Sequence, residues 1–376
     1  MVEYPEYSPG LEGIIAGESA ISRIDSERNR LLSRGYDLVD LTENVSFEEV
    51  AYLLLHTDLP SDSQLSDFGA QLRQQRDLTE EVLAILRSVP PFTHPMTLLR
   101  TAVSSLGHSD PDAGDDSHDA NVRKAIRLLA KVPTILTTAH RLALGQTPVE
   151  PRADLDQAAN LLYMLRGEEA QAYEAEAMNV SLILYAEHGF NASAFAARVT
   201  VSTLSNLYAA ITSGIGALAG PLHGGANEAA MEMLLKVGSV ENARPFALAA
   251  MASKAKIMGF GHREYKSGDS RVPIMKRVAR QIAEATGNSL WPDVGDAIEE
   301  TMIAEKGIHP NVDFPCAYAY YMMDIPIPLY TPIFVSSRIS GWSAHVVEQL
   351  DNNRIIRPIH HYTGEAHRPY VPLKER

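Results

Sequence analysis

Apolar residues along this chain recur at the three- and four-residue spacing of a helix face, and strict alternation is hard to find after the first few dozen positions. A chain patterned in this way must bury stripes of helix against one another, so an all-α architecture is expected. Phe47 to His56 follows Ser46 as an N-cap candidate, stops short of Pro60 and reads as a buried helix. Further helices are expected over 78–88, 94–106, 121–144, 154–164 and 168–188. In the last of these, Ala175, Met178, Leu182 and Tyr185 share a face and Gly189 ends the run. Asn191 or Ser193 can cap the next helix, which is expected to reach about residue 213.

The segment 214–225 is rich in glycine and holds Pro221 and His223, the composition of a hinge or a functional loop. Shorter, more charged helices are expected over 226–237, 245–258, 272–285 and 292–306. A long apolar helix over 313–350, broken around 324–328, closes the helical part. This order suggests a small domain, 224–318, inserted into a large one made of 1–223 and 319–376.

Composition narrows the function classes. The 376 residues are 45% apolar and 21% charged, ordinary for a globular chain able to bury a large core. A net charge of −14 disfavours nucleic acid and anionic membranes as partners. The single cysteine, Cys316, cannot form an internal disulfide, no apolar run is long enough to span a bilayer, and the acidic start lacks the marks of an export signal. A reducing cytoplasm is the expected location. The glycosylation patterns at Asn44, Asn179 and Asn191 are then coincidental.

One stretch departs from the acidic average. Lys254, Lys256, Arg263, Lys266, Arg271, Lys276, Arg277 and Arg280 face only Glu264 and Asp269 in the same interval. Either this is a solvated helix face, or it attracts a small polyanion.

Two familiar motifs fail on context. Gly214 to Ala219 fits a dinucleotide-binding pattern, but a helical segment precedes it where a strand is required. His360, His361 and His367 lack both helical spacing and carboxylates, so no metal site is expected. Cys316 reads as packing before it reads as a nucleophile.

Three positions carry better chemistry. His223, in Gly220-Pro-Leu-His-Gly-Gly, precedes a helix whose N-terminal N–H groups disfavour an imidazolium. A neutral imidazole there can donate a hydrogen bond to a carbonyl becoming an enolate, although a turn-bound histidine is the plainer alternative. His262, in Gly259-Phe-Gly-His-Arg-Glu-Tyr-Lys266, sits in the basic stretch, where two glycines let backbone approach a ligand or simply make a tight turn. Asp313, in His309-Pro-Asn-Val-Asp-Phe-Pro315, opens a helix and could serve only as its N-cap. Arg271, Arg338 and Arg357, from separate segments, are candidate forks for carboxylates.

Taken in order, the segments around His223, His262 and Asp313 resemble the catalytic segments of the citrate synthase family. The resemblance extends to Gly10 to Ile14, Arg34 to Asp37, Tyr185 to Ser193, Arg338 to Trp342 and Asn353 to Pro358. It implies an all-α large domain, a small helical domain that closes over substrate, and a homodimer with shared active sites. It also implies roles. Asp313 would take a proton from the acyl carbon of a coenzyme A thioester, His223 would bond the thioester oxygen, and His262 would protonate the ketone of oxaloacetate.

By the same resemblance His188, Arg271 and Arg338 would hold the oxo-acid carboxylates, with Arg357 reaching over from a partner subunit. Lys256, Ile257, Met258, Gly259 and Phe260 would line the coenzyme A pocket, with Lys266 near its phosphates. Coenzyme A would act as co-substrate, with no tightly bound cofactor. Where family members commonly carry Asp-Pro-Arg, this chain has Asp269-Ser270-Arg271, which could loosen Arg271. Two rivals remain at this stage: 2-methylcitrate synthase, which uses propionyl-CoA, and a non-catalytic acyl-CoA or carboxylate sensor. One methylene is worth only about 1–3 kcal/mol, so the catalytic motifs cannot separate acetyl from propionyl.

Overall fold

The computed structural model describes residues 7–262, 264–265 and 268–376. Near the N-terminus, β1 (Ser22–Asp25), β2 (Arg30–Ser33) and β3 (Tyr36–Asp37) form a small antiparallel sheet in that order, with Ile24 opposite Leu31. The rest is helix. In chain order these are α1 (Leu38–Asn44), α2 (Phe47–His56), α3 (Asp62–Gln74), α4 (Glu80–Ser88), α5 (Pro95–Ser109), α6 (His118–Ala143), α7 (Gln157–Arg166) and α8 (Ala172–Tyr185). There follow α9 (Ala192–Ser202), α10 (Leu207–Leu218), α11 (Ala226–Val237), α12 (Val240–Ala252), α13 (Val272–Thr286), α14 (Leu290–Lys306), α15 (Asp313–Met322) and α16 (Tyr330–Asp351). The all-α expectation is met, and no helix among the described residues is long and apolar enough to cross a membrane.

Local chemistry sets most helix ends. Ser46 and Glu49 close a capping box on α2, and Asp156 caps α7 through the N–H of Ala159. Gly167, Gly238, Gly287 and Gly307 terminate α7, α11, α13 and α14 in the left-handed conformation. A second capping box, Ser61 with Gln64, starts α3, a helix that the periodicity reading passed over because its outward residues are almost all polar.

Four departures from the sequence reading matter for the site. The helix expected to run to residue 213 is two helices, α9 and α10, because Leu204 turns left-handed at φ 64° and Asn206 caps afresh. Of the two cap candidates for α9 it is Asn191 that serves, accepting from the N–H groups of Ser193 and Ala194. Gly214 belongs to α10, packed against the indole of Trp342, so the glycine-rich loop shrinks to Ala219 through Gly225. Helix α8 stops at Tyr185, leaving Glu187 and His188 in irregular backbone, and α12 stops at Ala252, leaving 253–262 to wrap around a cavity.

The axis of the molecule is α16, which is buried along nearly its whole length and packs on α2, α6, α8, α9 and α10. Arg338 and Trp342 on it are among the largest fully buried side chains. Gly341 lets the irregular segment after α8 cross α16 closely: a Cβ there would collide with the Glu187 carboxylate and the Ala186 carbonyl. Gly341→Ala is therefore expected to cost about 1–3 kcal/mol of stability through overpacking, read as a lower midpoint in urea or heat. An unchanged midpoint would show that the crossing tolerates a methyl group.

Candidate active site

A cavity of about 550 Å³ is lined by the end of α8, the starts of α9, α11, α13 and α15, and Phe334 and Arg338 of α16. His188, His223, His262, Arg271, Asp313 and Arg338 all line it, so six residues from distant segments converge as expected. Each owes its placement to identifiable contacts.

His223 sits in the turn before α11, where the N–H of His223 donates to the carbonyl of Gly220 at 2.9 Å. Its Nε2 lies 3.3 Å from the backbone N of Ser193 and 2.7 Å from Ser193 Oγ. A backbone N–H can only donate, so Nε2 is the acceptor and the proton sits on Nδ1. Burial, with Arg338 nearby, brings the imidazole pKa down to about 4, so it is neutral near pH 7. Trp342 Nε1 donates to Ser193 Oγ at 3.1 Å and holds that partner in place.

His262 is fixed in the opposite sense. The N–H groups of Glu264 and Tyr265 both donate to its Nδ1, at 3.1 and 3.2 Å, which leaves the proton on Nε2. Burial and the Arg271 cation again bring the pKa to about 4. The ring centroid lies 5.0 Å from that of His188 and 4.8 Å from that of Tyr265.

Asp313 is the first residue of α15 and does not cap it. The N-cap reading gives way because Asn311 Oδ1 takes the N–H of Asp313 at 3.1 Å, while Tyr185 Oη donates to Asp313 Oδ1 at 2.7 Å. Burial raises this carboxyl to about 6, although Tyr185, Arg271 and Arg338 all favour its charged form. Asn311 also donates to the Gly261 carbonyl at 3.1 Å, and Asn311 N–H to the Gly259 carbonyl at 2.9 Å. The loops that carry Asp313 and His262 are thereby stitched together, with Phe260 bridged to Pro310.

Three groups form a cradle for anions. Asp269 grips Arg271 with three hydrogen bonds, from its N–H, Nε and Nη2, at 3.0, 3.0 and 2.8 Å. These bonds fix the Arg271 guanidinium in a chain that carries Ser270 where family members commonly carry proline. Arg338 Nε donates to the Tyr185 carbonyl at 2.7 Å, and its Cζ stands 4.8 Å from the Phe334 ring. Arg338 Nη1 and His188 Nε2 are buried polar atoms without partners among the described residues. Unpaired polar atoms deep in a cavity are expensive unless a ligand completes them, and for the Arg338 guanidinium a carboxylate oxygen is the natural complement. Burial and both arginines drive the His188 pKa well down, leaving it neutral.

A second cavity of about 430 Å³ adjoins the first, sharing Leu222, Ala226, Gly261 and Asn311. Lys256, Ile257, Met258, Gly259 and Phe260 line it as anticipated, together with Lys306, while Lys266 and Arg263 lie outside the described residues. Gly259 has φ 79°, and a Cβ there would come within 2.8 Å of Phe314, so only glycine fits. The basic stretch as a whole is less free than its sequence suggests. Lys276 and Arg280 are neutralised by Asp293, Asp296 and Glu299 on α14, Arg277 pairs with Glu43, and Arg271 with Asp269. Among the described residues, Lys256 and Lys306 bring positive charge to the second cavity.

Arg357 is not brought to the site within one chain. It is exposed and lines a separate cleft of about 1130 Å³ beside Glu18, Arg198 and Glu348. Cys316 is buried, its thiol pushed up to about 12 by desolvation, which supports packing over nucleophilic use. Sequence reasoning missed Tyr185, Ser193, Asp269, Asn311 and Phe334, although Tyr185 and Ser193 bound a segment already singled out. No group of histidine, cysteine, aspartate and glutamate among the described residues is arranged to hold a metal.

The fold and cavity define an all-helical acid–base enzyme, in which a carboxylate and two neutral imidazoles of fixed tautomer stand beside a cationic cradle. A family model described as citrate synthase, C-terminal domain, matches residues 10–359. Citrate synthase 2 of Bacillus subtilis (strain 168) is 48% identical over 98% of both chains, and a 2-methylcitrate synthase of Mycobacterium tuberculosis (strain H37Rv) is 45% identical over 97% of this chain and 93% of its own. Among solved structures, the ternary complex of carboxymethyl coenzyme A and oxaloacetate with citrate synthase from Thermoplasma acidophilum superposes with a TM-score of 0.93 at 30% identity, covering 99% of this chain and 100% of that one. This chain belongs to the citrate synthase family and is an acyltransferase, which retires the non-catalytic sensor reading.

The three titrating groups separate cleanly. Asp313 has its pKa at about 6 and could act as a base only when ionised, whereas His223 and His262 become cationic only near 4. The acid limb of kcat/KM should therefore fall with unit slope as pH drops through about 6. Steady-state rates across the acid range check this, and a limb centred near 4 would reassign it to the imidazoles.

Proposed function

We propose that this enzyme condenses acetyl-CoA with oxaloacetate and water to give citrate and CoA, with Asp313 as base. The observation that carries the proposal is the disposition of protons: an elevated carboxylate pKa between two histidines whose available N–H groups are fixed by backbone and Ser193 contacts.

In this reading Asp313 takes a proton from the methyl carbon of the thioester while His223 Nδ1–H bonds the thioester oxygen, so charge developing on the enol meets a prepositioned donor. The enol carbon attacks the ketone carbon of oxaloacetate. His262 Nε2–H gives its proton to the ketone oxygen, which becomes the hydroxyl of citryl-CoA, and the imidazole is reprotonated as Asp313 releases the proton it took, so no net proton is gained or lost in the condensation. Water then cleaves the thioester. His188, Arg271 and Arg338 hold the two carboxylates of oxaloacetate, a role supported by the unpaired Arg338 Nη1 and His188 Nε2.

The thioester's coenzyme A moiety is assigned to the second cavity, which Lys256 and Lys306 line. Residues 224–318 would act as a small domain closing on the large one, excluding water during condensation. The enzyme is proposed to be a homodimer with shared active sites, each receiving Arg357 from its partner, and to serve the tricarboxylic acid cycle in the cytoplasm.

A second reading, 2-methylcitrate synthesis from propionyl-CoA with the same residues, is favoured by the relatives of that name at 42–45% identity. Replacing Asp313 by glycine should abolish turnover while leaving oxaloacetate binding largely intact, and near-normal turnover would sink the mechanism. The ratio of kcat/KM for acetyl-CoA and propionyl-CoA decides the acyl group: acetyl preference is expected, and the opposite preference would establish the second reading.

A further inference from the structure

Asp313 is partnered by a tyrosine that is itself wholly buried and lies against both walls of the cavity. Tyr185 ends α8, and its Oη–H donates to Asp313 Oδ1 at 2.7 Å. The carbonyl of the same residue accepts Arg338 Nε at 2.7 Å. Its ring lies 4.0 Å, centroid to centroid, from Phe334, the aromatic wall under the Arg338 guanidinium. One residue thus ties the base on α15 to the anion-binding arginine on α16.

We propose that Tyr185 is the positioning residue of the base, its phenol occupying Oδ1 of Asp313 so that Oδ2 is the oxygen presented to the acyl carbon. This rests on the assignment of Asp313 as the base. No hydrogen-bond donor reaches Oδ2 among the described residues, and the carboxylate lines the cavity. A carboxylate free to rotate would present either oxygen at varying distance. Proton transfer from carbon is sensitive to such misplacement because the donor is poorly acidic and forms no strong hydrogen bond of its own.

Titratable groups reach Asp313 from several elements, with His188, His223, His262 and Glu264 lining the same cavity. Tyr185 faces it from α8, Arg271 and Asp269 from the turn before α13, Arg338 from α16, and Cys316 and Tyr320 border the phenol from α15 itself. The arginines act through space, Asp269 opposes ionisation, and Tyr185 acts through a directed bond to the charged form. Tyr185 is too deeply buried to ionise near pH 7, its pKa driven well above the ordinary phenol range by desolvation and by the Asp313 charge. It therefore stays a donor throughout the working range.

The test is Tyr185→Phe, which keeps the ring against Phe334 and the backbone carbonyl under Arg338. Loss of the bond to the charged form should move the acid limb of kcat/KM upward by about one pH unit. It should lower kcat by about tenfold or more, and raise the kinetic isotope effect with methyl-deuterated acetyl-CoA, since proton abstraction becomes slower relative to later steps. Binding of oxaloacetate should change little. Incorporating 3-fluorotyrosine at position 185, a stronger donor of similar shape, should move the limb the other way. An unshifted limb and isotope effect in a folded Tyr185→Phe enzyme would overturn the proposal. If Asp313→Gly is inactive while Tyr185→Phe behaves as wild type, positioning alone fails; if Asp313→Gly turns over, the assignment of the base fails with it.

Discussion

The hydrogen bond from Arg338 Nε to the carbonyl of Tyr185 joins the buried axis of the molecule to the end of α8, and the catalytic cavity is organised around that junction. A guanidinium without exposure to water must recover its hydration from fixed acceptors and neighbouring charge. Here it has the Tyr185 carbonyl, the face of Phe334 and the nearby Glu187 carboxylate. That compensation is incomplete, since Nη1 has no partner and burial pulls the Arg338 pKa down to about 10. The cavity is built with an unmet need for an anion.

The same dry environment governs the other groups. Desolvation disfavours charge of either sign, so it raises a carboxylic acid and lowers an imidazole. At this site that places Asp313 at about 6 and His223 and His262 at about 4, making a base and two neutral donors available together near pH 7. Glu187, though equally buried, remains ionised because His345 Nε2 at 2.9 Å and Ser22 Oγ at 2.9 Å support its charge. Hydrogen-bond partners therefore decide which buried carboxyl has its pKa raised and which stays a fixed countercharge.

Much of the helical frame was legible in the chain. The helices 47–56 and 226–237 begin and end where capping residues and periodicity place them. Reading failed where local signals competed with packing. The run through Asn191 and Ser213 looks continuous because every residue in it tolerates helix, yet Leu204 adopts a left-handed turn that lets α9 fold back along α10. The basic stretch misled for a related reason: the acids that neutralise Lys276 and Arg280 lie a helix away on α14, and charge counted along the chain cannot see them.

From the sequence alone came the all-helical class, the ordered motifs around His223, His262 and Asp313, and the arginines as candidate carboxylate forks. These depend on residue type and local spacing, which the chain carries by itself. Tertiary structure alone decided the tautomers of His223 and His262, the elevation of Asp313, the grip of Asp269 on Arg271 and the phenol of Tyr185 behind the base. Each is a property of atoms brought together from distant positions in a medium of low polarity, and neither the partner nor the dielectric exists until the helices pack.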